Sequence, residues 1–239
     1  MSNDYFRFKQ FTVRQGLVAM KVGTDGTLLG AWARGGERIL DIGTGTGLIA
    51  LMMAQRFPQA TVVGLDIAPA AVQQARENVA ASPFATRITI AEADVRTITH
   101  HPSPITHHLS PFPSIVCNPP YFVDALESPD SQRTLARHAA SLSYADLMAA
   151  VLRLLTDDGE FSVVIPFDCK QHLEQEATLA GFFKVRECAV KTTPRKAPRR
   201  YLLAFRRHPC ELQREEGVIE NAPGQRSPWY QALTNDFYL

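Results

Sequence analysis

Residues 118 to 122 place an amide, two prolines and two aromatic rings directly after an apolar run. The stretch reads Asn118-Pro119-Pro120-Tyr121-Phe122 and follows the strand-like residues 114–117. Two prolines fix the backbone, so the side-chain oxygen of Asn118 and the main-chain carbonyl of Pro119 are held close together. This pair of acceptors predicts binding of both hydrogens of an amino group, with Tyr121 and Phe122 stacked on a planar substrate. A proline-rich turn with core aromatics is the alternative.

A glycine-rich turn forms a second candidate site. Gly43-Thr44-Gly45-Thr46-Gly47 follows the apolar stretch 38–42 and precedes a helix-like run. Glycines at this point permit a tight turn and close approach of a ligand. The spacing G-x-G-x-G differs from the dinucleotide pattern, and a carboxylate at Asp41 would repel a pyrophosphate. We expect Asp41 to pair instead with an ammonium group such as that of S-adenosylmethionine.

Two more acids follow the next two predicted strands. Asp66 is expected to accept the ribose hydroxyls of the same ligand, and Asp94 its adenine amino group. Each acid taken singly is more often a cap or loop residue, whereas the ordered set predicts a cofactor site. No residues at metal-ligand spacing accompany it, and the histidines of 100–108 are read as surface residues. The predicted cofactor site comprises Asp41, Gly43, Gly45, Gly47, Asp66, Ile67, Asp94, Val95 and Asn118.

The elements that position these residues alternate between strand and helix from Arg38 onward. Strands are predicted over 38–42, 61–66, 87–92, 114–117, 161–165, 183–190 and 200–205. Helices are predicted after the glycine turn, from Pro69 to about Ala81, from Ser143 to a close at Asp158-Gly159, and from Cys169 to Ala180. This alternation indicates an α/β fold with a parallel sheet wrapped by helices.

Composition narrows the class of protein. The chain of 239 residues carries a net charge of +1, yet residues 184–210 contain nine basic residues and one acidic residue. A concentrated basic segment suits a polyanion, with a solvated hairpin as the alternative. Four cysteines without regular spacing predict reduced thiols. The absence of a membrane-spanning apolar stretch and of an export signal predicts a cytoplasmic protein.

With these motifs the chain resembles the class I, seven-stranded S-adenosylmethionine-dependent methyltransferases. The resemblance covers residues 16–207 and implies a Rossmann-like, mostly parallel sheet with an antiparallel last strand and helices on both faces. The Asn118-Pro119-Pro120-Tyr121 run is similar to the N/D-P-P-Y/F motif of amino-group methyltransferases. Members of that group methylate adenine N6 in DNA or RNA, guanine N2 in ribosomal RNA, or glutamine N5 in release factors.

The stretch 11–32, Ala136-Arg137-His138 and the ending Asp236-Phe237-Tyr238-Leu239 extend the resemblance to the bacterial tRNA-valine (adenine-37, N6) methyltransferases. That likeness implies a tRNA partner and adds Thr24 and Asp25 to the cofactor pocket, although Asp25 suits a helix cap equally well. Arg137 and His138 are read as substrate contacts or, more readily, as a structural helix pair. A non-catalytic RNA-binding subunit is a further alternative, and monomer and homodimer both stay open. The predicted substrate-binding residues are Tyr121, Phe122, Lys191, Arg195, Lys196, Arg199 and Arg200.

We predict a single domain in three parts. Residues 1–37 are expected to cover the cofactor and substrate, residues 38–207 to form the catalytic core, and residues 208–239 to pack on that core through their aromatic ends.

Overall fold

An eight-stranded sheet with helices on both faces forms the body of the protein. The computed structural model describes residues 4–18, 21–98, 111–119 and 142–239. The helices in this part of the chain are α1 (Thr24–Trp32), α2 (Leu48–Arg56), α3 (Pro69–Ala80), α4 (Tyr144–Leu154), α5 (Phe167–Leu179) and α6 (Pro228–Thr234). The strands are β1 (Tyr5–Arg7), β2 (Thr12–Arg14), β3 (Arg38–Ile42), β4 (Thr61–Asp66), β5 (Ile88–Glu92), β6 (Phe112–Cys117), β7 (Leu155–Pro166), β8 (Phe183–Lys191), β9 (Arg200–Arg206), β10 (Gln213–Val218), β11 (Glu220–Ala222) and β12 (Gln225–Arg226).

The strand order of the main sheet is β10-β8-β9-β7-β6-β3-β4-β5. Strands β3 to β7 run parallel to one another, and β9 is antiparallel to both β7 and β8. The seven predicted strands and the antiparallel last strand among them are therefore confirmed. An eighth strand, β10, was not predicted. It pairs in parallel with β8, and its mostly exposed, polar sequence carries no hydrophobic alternation to reveal it.

Two hydrophobic clusters cover opposite faces of the sheet. One contains Leu28 of α1, Leu51 of α2 and Val72 of α3. The other contains Leu147 of α4 and Leu173 of α5. Because parallel strands are buried on both faces, β3, most of β6 and the second half of β7 read as mainly apolar runs.

Helix α4 begins as predicted and ends earlier. The Ser143 hydroxyl accepts a hydrogen bond from the Asp146 N–H (3.0 Å) and caps the helix. The helix ends at Leu154 because Leu155 already pairs with Phe112 of β6. Asp158 and Gly159 therefore lie in an irregular part of β7, and the prediction that they close the helix was wrong.

The first and last described segments pack on the same side of the body. The β1–β2 hairpin is fastened to α3 by Asn78, whose side chain accepts from the Arg14 N–H and donates to the Arg14 carbonyl, both at 2.8 Å. Near the C-terminus Phe237 is buried and the Tyr238 ring stacks on Phe8, with ring centroids 5.8 Å apart. No helix in the described ranges is long and apolar enough to cross a bilayer.

Candidate active site

Two adjoining cavities open at the carboxyl ends of β3, β4, β5 and β6. The first has a volume of about 370 Å³ and the second about 360 Å³. Both are lined by Gly43, Gly45 and Asn118, so they form one continuous groove. Ligands of open α/β sheets bind at this edge of the sheet, where the residues after successive strands converge.

The glycine turn supplies the floor shared by the two cavities. Gly43 and Gly45 have φ angles of 70° and 55°, a region that side-chain-bearing residues rarely adopt. A Cβ added to Gly43 would meet nothing within 4 Å, which leaves open space for a ligand. Gly47 has a different role from the one predicted. It caps α2 with φ 79° and packs against Ala75 of α3, so it shapes the turn without lining either cavity.

Asp66 joins the glycine turn to the end of β4. One of its carboxylate oxygens accepts from the Gly45 N–H (2.9 Å) and the other from the Ala68 N–H (3.0 Å). Each oxygen retains a second lone pair, since a carboxylate offers about four acceptor sites. Asp66 and the half-exposed Ile67 both line the first cavity. Their position suits the predicted contact with ribose, which stays a prediction.

Asp94 and Val95 also line the first cavity, and Asp94 already has a strong partner. Its carboxylate receives bonds from Arg96 Nε at 3.0 Å and from a second Arg96 nitrogen at 2.6 Å. These bonds lower the pKa of Asp94 and keep it ionised. Any amino group that donates to Asp94 must therefore share the carboxylate with Arg96, a partner that was not predicted from the sequence.

Asp41 lies elsewhere than predicted. Its side chain is fully buried and lines neither cavity; Oδ2 accepts from the Thr44 hydroxyl (2.6 Å) and from the Ala50 N–H (3.1 Å). Burial raises the pKa of Asp41 to about 7, although these two hydrogen bonds oppose the shift. The carboxyl group thus holds the glycine turn on the first turn of α2, and a direct bond to a cofactor ammonium is not supported by this placement.

Asn118 lies where the two cavities meet. It is half-buried, directly follows β6 and lines both cavities, while Pro119 is buried and lines the first. The predicted acceptor pair is therefore at the mouth of the crevice and not in the interior. Pro120, Tyr121 and Phe122 lie outside the described residues, as do Arg137 and His138.

The first turn of α1 supplies a carboxylate to the second cavity. Thr24 and Asp25 line it together with Arg200 of β9. An Arg200 Nη1 atom lies 2.5 Å from Asp25 Oδ1, and both side chains are largely buried. Asp25 is therefore the acid that lines this cavity, in the place that was predicted for Asp41.

Comparison with known proteins identifies the family. A model described as a methyltransferase domain matches residues 33–211. A tRNA1(Val) (adenine(37)-N6)-methyltransferase of Bacteroides thetaiotaomicron is 46% identical over 242 residues, covering 100% of this chain and 99% of the relative. The protein with the same name from Tolumonas auensis is 40% identical over 242 residues, covering 100% and 98%. This chain belongs to that methyltransferase family. The resemblance stated from the sequence is confirmed.

A solved structure supports the fold of the methyltransferase. A predicted O-methyltransferase of Agrobacterium tumefaciens superimposes with a TM-score of 0.67 at 19% identity, covering 89% of this chain and 96% of the other. At that identity the likeness concerns the fold alone. The α/β class with its mostly parallel, Rossmann-like sheet is thus confirmed.

S-adenosylmethionine is the methyl donor of this family. The groove of the methyltransferase fits it. In the first cavity the Asp66 carboxylate would suit ribose hydroxyls and the apolar walls of Ile67 and Val95 would suit a base; in the second, Asp25 would share its carboxylate between Arg200 and an ammonium group. The open glycine turn joins the two parts. These residues would hold the nucleoside end and the amino-acid end on either side of Asn118.

Cys117 contributes an unreactive thiol to the first cavity. It is buried, and burial raises its pKa well above the ordinary value, with the negative charges of Asp41 and Asp66 adding to the shift. Thiolates are the reactive form of cysteine, so this residue acts as a small apolar wall group.

The basic loop between β8 and β9 extends the methyltransferase groove outward. Lys196, Arg199 and Arg200 line a third cavity of about 640 Å³ beyond Asp25. Lys191 is paired with Glu216 at 2.8 Å, and Arg200 with Asp25. In the part of the chain that the structure describes, Arg195, Lys196 and Arg199 have no ion-pair partner. The predicted set of substrate-binding cations therefore divides into two paired and three unpaired residues.

Several lining residues were missed from the sequence. Leu17 and Val18 cover the first cavity, held by a bond from the Leu17 N–H to Gln74 Oε1 of α3 (3.2 Å). Phe167 and Asp168, at the start of α5, line the third cavity. The signal for the first pair was their place in the segment already expected to cover the cofactor. Nothing local marks Phe167, since its role depends on the neighbouring loop.

Proposed function

We propose that this methyltransferase transfers a methyl group to N6 of adenine 37 in a valine tRNA. The observation that carries the proposal is the position of Asn118 at the junction of the two cavities, where the donor's methyl group and a substrate amine would meet. Relatives 40–46% identical over their full length carry the name of this activity. A tRNA substrate agrees with the predicted cytoplasmic location.

The acceptor pair would bind the adenine amino group. Asn118 Oδ1 and the Pro119 carbonyl each accept one hydrogen of N6, which orients the nitrogen toward the second cavity. Accepting both hydrogens stabilises positive charge as it develops on N6, and it favours loss of the extra proton to water. S-adenosylmethionine, when bound, supplies an electrophilic methyl group on a sulfonium. No strong general base is required, in keeping with the weakly basic groups at this point of the groove.

The unpaired cations of the basic loop would bind the RNA backbone. Lys196 and Arg199 line the continuation of the groove, and Arg195 belongs to the same loop. Phosphate neutralisation by such residues supplies much of the affinity for nucleic acid. Tyr121 and Phe122 stay predicted stacking residues for an adenine that is turned out of the anticodon loop.

Mass-spectrometric mapping tests the proposal. Valine tRNA would be isolated from cells that contain or lack this protein, and then incubated with purified protein and labelled S-adenosylmethionine. We expect N6-methyladenine at position 37 only when the protein is present, and restoration of the modification in vitro.

Fractionation of the labelled material decides between the same-chemistry alternatives. Label confined to ribosomal RNA would favour a guanine-N2 or adenine-N6 ribosomal enzyme, and label confined to protein would favour glutamine N5. Absence of S-adenosylmethionine binding in calorimetry would favour a non-catalytic RNA-binding subunit. Each of these outcomes would contradict the proposed activity.

A further inference from the structure

The third cavity continues the groove past the point of methyl transfer. It shares Asp25 and Arg200 with the second cavity and is lined in addition by Pro166, Phe167, Asp168 and the loop residues 196–199. With about 640 Å³ it is larger than either cofactor cavity. The proposed donor and target adenine account for the first two cavities and leave this one without an occupant.

An exposed aromatic ring lies in this third cavity. Phe167 is 57% exposed, although its backbone is fixed by a bond from its N–H to the Arg199 carbonyl (3.0 Å). Its ring lies 6.4 Å from that of Tyr201, measured between centroids and tilted by 34°. Lys170 Nζ, also in α5, lies 5.0 Å from the centre of the Tyr201 ring and makes a cation–π contact with it. Phe167 therefore presents an exposed ring beside Tyr201, on a backbone that is hydrogen-bonded to the loop at Arg199.

The charges around Phe167 suit a nucleotide. Lys196 and Arg199 are on the rim, with no ion-pair partner among the described residues, and the Arg200–Asp25 pair separates the cavity from the donor site. Asp168 adds a carboxylate that repels phosphate but can accept a hydrogen bond from the amino edge of a base. Cations beside an exposed aromatic ring are the usual combination in single-strand binding grooves.

The register of the sheet gives the distance from the reaction point. Cys117 of β6 pairs with Val163 of β7, so Asn118 is level with Val164. Ile165 and Pro166 complete β7, and Phe167 follows as the first residue of α5, three residues beyond Val164. At about 3.3 Å per residue and 4.8 Å between strands, its Cα atom lies roughly 11 Å from that of Asn118. This separation is too large for the target base itself and suits an adjacent nucleotide of an unstacked strand.

We propose that the third cavity is a binding subsite for a nucleotide next to the target adenine. The base stacks on Phe167, and its phosphate is bound by Lys196 and Arg199. This inference rests on the proposed RNA substrate and deepens it, because it assigns recognition of the flanking sequence to the β7–α5 junction. The cations of the loop alone would bind phosphates without selecting a base, whereas the Phe167 ring provides a stacking surface for one base.

A double-mutant cycle on RNA binding tests the subsite. Anticodon stem-loop RNAs would carry a normal or an abasic nucleotide on either side of the target adenine. Equilibrium binding to the wild-type protein, Phe167→Leu and Phe167→Tyr would be measured at one salt concentration. Leucine keeps apolar contacts and removes the ring, whereas tyrosine preserves the ring. Phe183→Leu, at a 45% exposed phenylalanine of β8, is the matched control.

We expect one abasic position to weaken binding to wild-type protein about 10-fold or more, as for loss of one stacked base. Phe167→Leu should weaken binding of the intact RNA similarly and be insensitive to the abasic change, while Phe167→Tyr and Phe183→Leu behave as wild type. Suppose that wild-type protein binds and methylates RNA, but that the losses of binding caused by Phe167→Leu and by the abasic nucleotide are additive at both flanking positions. The subsite is then refuted, while the proposed function stands. If wild-type protein neither binds nor methylates RNA, the proposed function fails and the subsite with it.

Discussion

Asn118 follows a buried parallel strand and, with Gly43 and Gly45, lines both cavities of the groove. Its backbone is fixed on one side by the pairing of β6. On the other side the Pro119 ring limits the backbone angles of both Asn118 and Pro119. The backbone that carries the Asn118 side chain and the Pro119 carbonyl is therefore restricted before a substrate amine arrives. Its contribution should therefore concern the rate of transfer more than the binding of the donor.

Replacing Asn118 tests that division. We expect Asn118→Ala to reduce turnover by about 10² or more, because a preorganised acceptor is lost, and to leave S-adenosylmethionine affinity nearly unchanged. Initial rates with saturating RNA and calorimetric titration of the donor would measure the two effects. Asn221→Ala, at an exposed site in β11, is the control. Unchanged turnover in Asn118→Ala would refute the acceptor pair.

Individual acids show where sequence reasoning stops. The order of Asp41, Asp66 and Asp94 along the chain predicted a donor site at consecutive strand ends, and the structure brings Asp66 and Asp94 to one cavity. The burial of Asp41 depends on Thr44 and on α2, and the Arg96 partner of Asp94 depends on a turn of the backbone. Such contacts arise from packing, which residue types and spacing do not encode locally.

At the scale of elements, the loop between β8 and β9 offers fewer free charges than its composition suggests. Lys191 and Arg200 are engaged by Glu216 and Asp25, whereas Arg195, Lys196 and Arg199 are unpaired within the described residues. A cation already paired must break that pair before it neutralises a phosphate. The three unpaired residues should therefore dominate the salt dependence of RNA binding.

Replacing two of them together tests this expectation. The change Arg195→Ala with Lys196→Ala should weaken tRNA binding and reduce the slope of log Kd against log salt by about 1.4, for two single-strand phosphate contacts. The control is Arg34→Ala with Arg214→Ala, which removes two cations near Glu160 and the amino end of β10, at the opposite end of the strands from the loop. Equal slopes for the loop variant and wild type would mean that the loop is only a solvated hairpin.

The elements themselves were largely predictable. Periodicity and glycine or proline boundaries predicted β3 to β9 and most helix bounds, because the buried parts of these strands carry apolar or alternating residues. β10 was missed because Gln213 to Val218 is polar and stabilised by pairing with β8 and by packing below α6. The close contact between β10 and α6 is at Gly217, where an added Cβ would lie 2.4 Å from the Trp229 ring. Only the assembled sheet shows why this polar segment is a strand.

At the scale of the whole molecule, the buried Asp41 links stability to pH. Its pKa is raised from 3.8 to about 7 in the folded protein. Between those two values the folded state keeps a proton that the unfolded chain has lost. The free energy of unfolding therefore falls as pH rises through this window, and the loss is complete above the folded pKa.

Asp41→Asn should remove this dependence. Between pH 5 and pH 8 we expect wild type to lose about 3 kcal/mol through this group, at 1.36 kcal/mol per pKa unit, and the variant to lose correspondingly less. Urea unfolding at several pH values would measure the difference, with Asp158→Asn at an exposed bulge residue as the control. Parallel pH curves for wild type and Asp41→Asn would contradict the raised pKa.

The distribution of the four thiols has a practical consequence for chemical labelling. Cys117, Cys169 and Cys188 are buried, and Cys210 alone is exposed. Burial also raises the pKa of Cys117 and of Cys188, which suppresses their thiolate forms at neutral pH. A maleimide dye should therefore attach once per chain, on the peptide containing Cys210, and report on RNA encounters without blocking the donor groove. Attachment at Cys117 in the native protein would show that the groove opens far wider than the structure indicates.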